Sequence, residues 1–123
     1  MRTPILLATA FAALGAAAIP AGAHHAPSAN RATKSTTVKF GEYFYRPKKL
    51  TIRAGDHVRF VNAGKIEHTV ADSTKGGTIR GRVIKPRPLA HGKSQTVKFT
   101  RRGTVYYLCT FHPSLMRGTI VVH

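Results

Sequence analysis

From Thr37 onward apolar and polar side chains alternate with a period of two, and no stretch of useful length repeats at the helical period. The alternation is carried by Val38 and Phe40, Leu50 and Ile52, Val58 and Phe60, Val97 and Phe99, and finally Val105, Tyr107 and Cys109. Successive side chains of a strand point to opposite faces, so these residues are expected inside. Between them stand Lys39, Thr51, Arg53, His57, Arg59, Thr96 and Lys98, a polar and mainly basic face turned to water. Turn-forming clusters separate the runs at Ala54-Gly55-Asp56, Asn62-Ala63-Gly64, Gly76-Gly77, His91-Gly92 and Arg101-Arg102-Gly103. Short strands spaced by turns over about 85 residues imply an all-β chain, an antiparallel β-sandwich with Greek-key connections. Lys75 to His91 is the least regular stretch. Pro86 and Pro88 argue against a central strand there, and Arg80, Arg82, Lys85 and Arg87 make it strongly basic.

The 123 residues leave room for a single domain. Residues 1–23 read as a secretory signal peptide: Arg2 is the positive start, Ile5 to Ile19 is apolar, and Ala21-Gly22-Ala23 has the small residues a signal peptidase accepts. The apolar run is shorter than the roughly 20 residues a bilayer-spanning helix needs. No cysteine near the cleavage site offers a lipoprotein anchor. The mature chain is expected to begin at His24, with 24–36 a flexible N-terminal tail rich in Ala, Ser, Asn and Pro, and 37–123 the folded domain. Export places the protein in a periplasm or outside the cell.

Two features of the composition bear on function. Lys and Arg number 20 against 4 Asp and Glu, a formal charge of +16 that falls by one when Arg2 leaves with the signal. Such a balance favours nucleic acid, anionic surfaces or acidic partner proteins, and export makes nucleic acid the poorest fit of the three. Cys109 is the only cysteine, so no disulfide framework exists. An unpaired thiol in an oxidising compartment needs burial or a bound partner, and a metal thiolate provides one.

The segment Tyr107-Leu108-Cys109-Thr110-Phe111-His112-Pro113-Ser114-Leu115-Met116-Arg117-Gly118 places a thiolate, an imidazole and a thioether on one loop at a strand end. Soft sulfur combined with imidazole suits copper cycling between its two oxidation states, with the thioether as a weak axial ligand. A trigonal site requires a second imidazole. His68 is the best placed, on a loop that leaves the strand Val58 to Asn62 and re-enters a strand at Thr69-Val70. Taken singly, Cys109 reads as a small buried hydrophobe, Met116 as core filler and His112 as a satisfied loop histidine. Their coincidence with His68 in an exported chain without a disulfide partner points to metal binding.

The remaining histidines are weighed by the same geometry. His57 shares parity with outward-facing Arg59 and is expected at the surface. His91 lies in a glycine-containing turn, and His123 is the last residue. His24 and His25, with a free amine after cleavage, offer a weak second copper site, although a disordered tail is the better reading of them.

The chain resembles the cupredoxins, the blue copper proteins of the plastocyanin, amicyanin and pseudoazurin group, from about Thr37 to Val122. Pro47 to Asn62 looks like the strand, Gly-Asp turn and strand that precede the family's first ligand, and Gly103 to Val122 looks like its closing hairpin. The resemblance implies one type 1 copper with His68, Cys109 and His112 as equatorial ligands and Met116 as the axial one. Two departures stand out. The spacing from His112 to Met116 matches azurin and falls between the shorter loop of amicyanin and the longer one of plastocyanin. Thr69 follows the first ligand where relatives often carry Asn.

The resemblance further implies electron transfer rather than catalysis. One cysteine rules out a two-thiolate purple centre, and no second Cys-His cluster exists to serve an oxidase or reductase. Electrons are expected to pass through the His112 edge, inside a collar of Phe111, Pro113 and Leu115. Lys65, Lys75, Arg80, Arg82 and Arg117 are expected nearby, steering redox partner proteins with acidic docking surfaces. No nucleic acid is expected. An anionic membrane or envelope surface is a further candidate partner, a monomer is expected, and copper carriage or scavenging is the alternative function.

Overall fold

The computed structural model describes residue 15 and residues 31–123. Apart from residue 15, the expected signal segment, with His24 and His25 after it, lies outside the described residues. The chain divides at Arg31, and all the strands among the described residues lie in the unit Ala32–His123. They are β1 Ser35–Gly41, β2 Phe44–Arg46, β3 Lys49–Ile52, β4 His57–Asn62, β5 Ala71–Ser73, β6 Ser94–Lys98, β7 Gly103–Leu108 and β8 Arg117–Val122. None of the described residues forms a helix long and apolar enough to cross a membrane.

Two four-stranded sheets, ordered β2-β1-β4-β6 and β3-β8-β7-β5, bury one shared core. Only β1–β2 and β7–β8 follow one another within a sheet, and the chain crosses between layers at each of the five connections from β2 to β7. Both sheets are mixed, which corrects the antiparallel expectation: β1 runs parallel to β4, and β3 parallel to β8. Side-chain alternation specifies which face a strand buries and is silent about the direction of its neighbour.

The strand faces follow the sequence pattern. Val38, Phe40, Val58 and Phe60 are completely buried, each contributing about 1.5–3 kcal/mol relative to an exposed position. Leu50, Val97 and Val105 are half-buried and packed against the same core. β1 begins at Ser35, two residues ahead of the expected domain start. Ser35 and Thr36 carry no apolar signal, and backbone pairing with His57 and Val58 of β4 recruits them. Asp56 reinforces this corner, its two carboxylate oxygens accepting the amides of Lys34 and Arg53.

The irregular basic stretch is organised by Asp72. Its carboxylate accepts the amides of Val83 and Ile84, and its carbonyl those of Arg80 and Gly81. Ile84 and Leu89 thereby drop into the core while the basic side chains stay exposed. Leu89 exchanges two backbone hydrogen bonds with His68, so this stretch also fixes a candidate ligand.

Candidate metal centre

His68 reaches its place through the loop that leaves β4. Asn62, fully buried at the end of that strand, donates from Nδ2 to the carbonyls of Ile66 and Leu89 and accepts the Gly64 amide at Oδ1. Residues 63–67 are thus wound around one amide side chain, and the Leu89 pairing holds His68 at the loop's end. Burial of His68 is complete.

Cys109 follows β7 and is likewise fully buried. A ring of backbone hydrogen bonds closes the loop after it: Cys109 N donates to Met116 O at 3.1 Å, His112 N to Cys109 O at 3.2 Å, and Met116 N to His112 O at 3.0 Å. Met116 is buried within the core cluster, and His112 is half-exposed at the rim.

The two loops meet at the sulfur. His68 Nδ1 stands 3.9 Å from Cys109 Sγ. The Thr69 amide points at the same sulfur at 3.4 Å, with Thr69 Oγ1 3.7 Å away. Thr69 Oγ1 also accepts the Thr110 amide at 2.8 Å and shares a hydrogen bond with Thr110 Oγ1 at 2.7 Å. Thr69 therefore ties one ligand loop to the other with a hydroxyl. Below it, Tyr45 donates to the Thr69 carbonyl at 2.7 Å. Burial first, and then the neighbouring Cys109 and Tyr107, push the Tyr45 phenol far above its ordinary range, which keeps it a neutral donor.

The donor set fits a soft first-row metal. A thiolate and an imidazole sharing such an ion at 120° lie about 3.7 Å apart, given bond lengths of about 2.3 and 2.0 Å. The observed 3.9 Å is close to that separation. The His68 and His112 ring centroids are 5.5 Å apart. No three His, Cys, Asp or Glu side chains among the described residues converge tightly enough to hold a metal by themselves. His68 and Cys109 are brought together as a pair, His112 stands further out, and methionine sulfur is part of the set.

Two residues that sequence reasoning missed belong to this site. Glu42, in the turn between β1 and β2, accepts the amides of Lys65 and Ile66 and lies 3.1 Å from His68 Nε2. The Ile66 amide chiefly, against partial desolvation, and then the His68 hydrogen bond hold its carboxyl below the usual carboxylate range. Tyr43 stacks edge-on against both candidate imidazoles, 4.7 Å from the His112 ring and 6.3 Å from that of His68. No periodicity marks either residue, and only the fold brings a turn 26 positions away in sequence against His68.

The other histidines stay apart from this cluster. His57 is half-buried in β4, opposite Lys98, rather than plainly at the surface. His91 is exposed, with Nδ1 2.6 Å from the Gly64 carbonyl, and His123 is exposed at the chain end.

The apolar collar is real and wider than expected. Phe111 is 50% and Leu115 66% exposed, and Tyr43 and Ile66, also exposed, belong to the residues around the two ligand loops. Of the expected cations, Lys65 lies on the His68 loop. Arg117 donates from Nε to the Pro113 carbonyl and shares a hollow with Lys75. Arg82 does not join them: it lines hollows with Lys98, Phe99 and Arg101, toward the Gly103 end of β7 that lies opposite Cys109.

Comparison with known proteins agrees with this architecture. Residues 32–123 match the family described as copper binding proteins, plastocyanin/azurin family. The chain is 34% identical over 119 residues to amicyanin-alpha from Methylorubrum extorquens, covering 96% of this chain and 97% of that one. It is 31% identical to amicyanin from Paracoccus denitrificans, covering 92% and 86%. Among solved structures, a reduced amicyanin variant superposes with a TM-score of 0.62 at 27% identity, over 77% of this chain and 88% of that one. A purple cupredoxin from Nitrosopumilus maritimus shares the fold, with a TM-score of 0.65 at 24% identity over 72% of this chain and 99% of that one. The chain is a member of the plastocyanin/azurin family of copper-binding proteins.

Proposed function

We propose that the protein is a single-electron carrier working outside the cytoplasm, in a periplasm or beyond it, with one type 1 copper held by His68, Cys109, His112 and Met116. The observation that carries this reading is the 3.9 Å approach of His68 Nδ1 to Cys109 Sγ, with hydrogen bonds fixing both loops. Bound copper supplies a reversible one-electron couple in such a ligand set. The chain's own task is to keep the donors still. His68 is pinned by Leu89 and the Asn62-wound loop, and Cys109 by Met116 and the two threonines. A frame that meets both oxidation states unchanged limits the rearrangement accompanying each transfer.

The protein is a carrier and not an enzyme, as are the amicyanins and plastocyanins it resembles. His112, at the rim among Tyr43, Phe111 and Leu115, is the exit for the electron. A patch of that kind suits brief contact with a redox partner. Asp56 and Asp72 are buried under backbone amides, which leaves Glu42, engaged at His68, and Glu67 as the exposed acids. The surface is therefore almost purely cationic, and the partner's docking face is acidic.

The test is to add one equivalent of copper(II) to apoprotein, record the visible spectrum, then reduce beside a moderate copper(I) chelator and reoxidise. An electron carrier shows an intense thiolate-to-copper band that bleaches and returns in full with its metal retained. Loss of copper to the chelator identifies a metal carrier instead, and absence of the band refutes the ligand assignment.

A further inference from the structure

Glu42 reaches His68 from a different part of the chain and by a route that two glycines keep open. Its Oε1 accepts the Lys65 amide at 2.7 Å and the Ile66 amide at 2.9 Å, and faces His68 Nε2 at 3.1 Å. An ionised carboxylate only accepts, so the hydrogen in the last contact belongs to Nε2. That leaves Nδ1 as the ring atom facing Cys109 Sγ. A Cβ on Gly64 would run into the Glu42 carboxylate and the Gly41 backbone, and one on Gly41 would meet Gly64 Cα at 3.2 Å. The β1–β2 turn and the His68 loop are thus fitted face to face, with the carboxylate between them.

We propose that Glu42 is a positioning residue for the metal centre, one that sets the tautomer and orientation of His68 and places a fixed negative charge behind it. The inference rests on the copper reading above. Three consequences belong to one oxygen atom: it caps two amides of the ligand loop, it holds the Nε2–H tautomer that frees Nδ1 for the metal, and its charge favours the higher oxidation state. A metal-bound imidazole that donates to a carboxylate is the more basic ligand.

Three variants separate these roles. Glu42→Gln keeps an acceptor oxygen and the loop but loses the charge. Glu42→Ala loses both, and Gly64→Ala displaces the carboxylate without altering it. In copper-free wild-type protein, nitrogen NMR of the His68 ring is expected to show a single Nε2–H tautomer, and the Lys65 and Ile66 amides to exchange slowly. Glu42→Ala and Gly64→Ala are expected to mix the tautomers and expose both amides. In loaded protein, Glu42→Gln is expected to shift the copper(II)/copper(I) ratio at a fixed potential about tenfold toward copper(I), which for one electron is about 59 mV upward. Glu42→Ala is expected to weaken copper(II) binding about 10- to 100-fold.

The apoprotein measurement stands apart from the metal. If wild type binds no copper yet shows the single tautomer, the electron-carrier reading fails and the positioning role survives. If the His68 tautomer and both amides are the same in wild type and Glu42→Ala, the positioning role is overturned. An unchanged potential in Glu42→Gln refutes the electrostatic part.

Discussion

The Thr69 amide aims at the Cys109 sulfur from 3.4 Å while the Thr69 hydroxyl accepts the Thr110 amide one residue beyond that cysteine. One residue therefore touches the sulfur and staples its loop. Thr69→Val keeps the β-branched shape and the amide but removes the staple, leaving Thr110 N–H without its acceptor. A loss of about 1–2 kcal/mol is expected in denaturant unfolding of the apoprotein. The copper band is expected to persist, because the amide at the sulfur is retained. A stability equal to wild type would show that the two loops are held together by other contacts.

Two buried tyrosines predict opposite outcomes for the same substitution. Tyr45 donates to the Thr69 carbonyl at 2.7 Å, so Tyr45→Phe strands a buried acceptor and is expected to cost about 1–2 kcal/mol. Tyr107 packs tightly over Gly118, and its hydroxyl has no hydrogen-bond partner among the described residues. Tyr107→Phe removes an unpaired buried polar group and is expected to be neutral or to stabilise by about 1 kcal/mol. Paired thermal melts of the two variants read the contrast directly, and a comparable loss in both would contradict it.

Met116 is fully buried and joined through its backbone to both Cys109 and His112. Met116→Leu preserves volume and is expected to cost less than about 1.5 kcal/mol. The coloured site is expected to remain, with its potential raised, since losing a weak sulfur donor disfavours copper(II). Spectroelectrochemistry gives the answer. An unchanged potential would reduce Met116 to core filler.

The histidines divide by position. His68→Ala and His112→Ala are each expected to abolish the thiolate-to-copper band. His57→Ala and His91→Ala are expected to keep it, His57 because it lies in β4 opposite Lys98, and His91 because its contact is with the Gly64 carbonyl rather than with a donor. Absorption spectra with circular dichroism as a check on folding decide the matter. A colourless but folded His57→Ala would overturn the assignment.

With Glu42 and Glu67 as the exposed acids against 20 Lys and Arg, reduction by an acidic partner is expected to slow as salt rises through the physiological range, where the screening length is about 8 Å. Stopped-flow rates across ionic strength measure it. A flat profile would mean that the apolar patch alone governs encounter.

Strand faces were legible from alternation where a strand buries mainly one side, as in β4, and Val38, Phe40, Val58 and Phe60 all lie where the pattern puts them; in β7 both Tyr107 and Leu108 are buried, and the pattern marked only Tyr107. Cys109, His112 and Met116 were visible as a group because they share one loop. Direction of pairing was not legible: β1 lies beside β4 and β3 beside β8 through backbone bonds that leave no mark on side-chain order. Ile84 and Leu89 enter the core from a stretch without period, held by the Asp72 carboxylate and by the His68 backbone. Glu42 and Tyr43 sit in a turn whose composition resembles any other, and their roles exist only once the turn meets the His68 loop.

The anchoring of residues 80–84 on Asp72, and of Leu89 on His68, separates what the basic excursion must do from what it is free to change. Its structural duties fall on two backbone segments and two apolar side chains. The side chains of Arg80, Arg82, Lys85 and Arg87 have no part in them, although the backbones of Arg80 and Lys85 do. Mutation can therefore redraw the electrostatic character of this flank, even to the opposite sign, without reopening the folding problem or disturbing the ligands, so that lineages meeting different partners inherit one scaffold and an adjustable exterior.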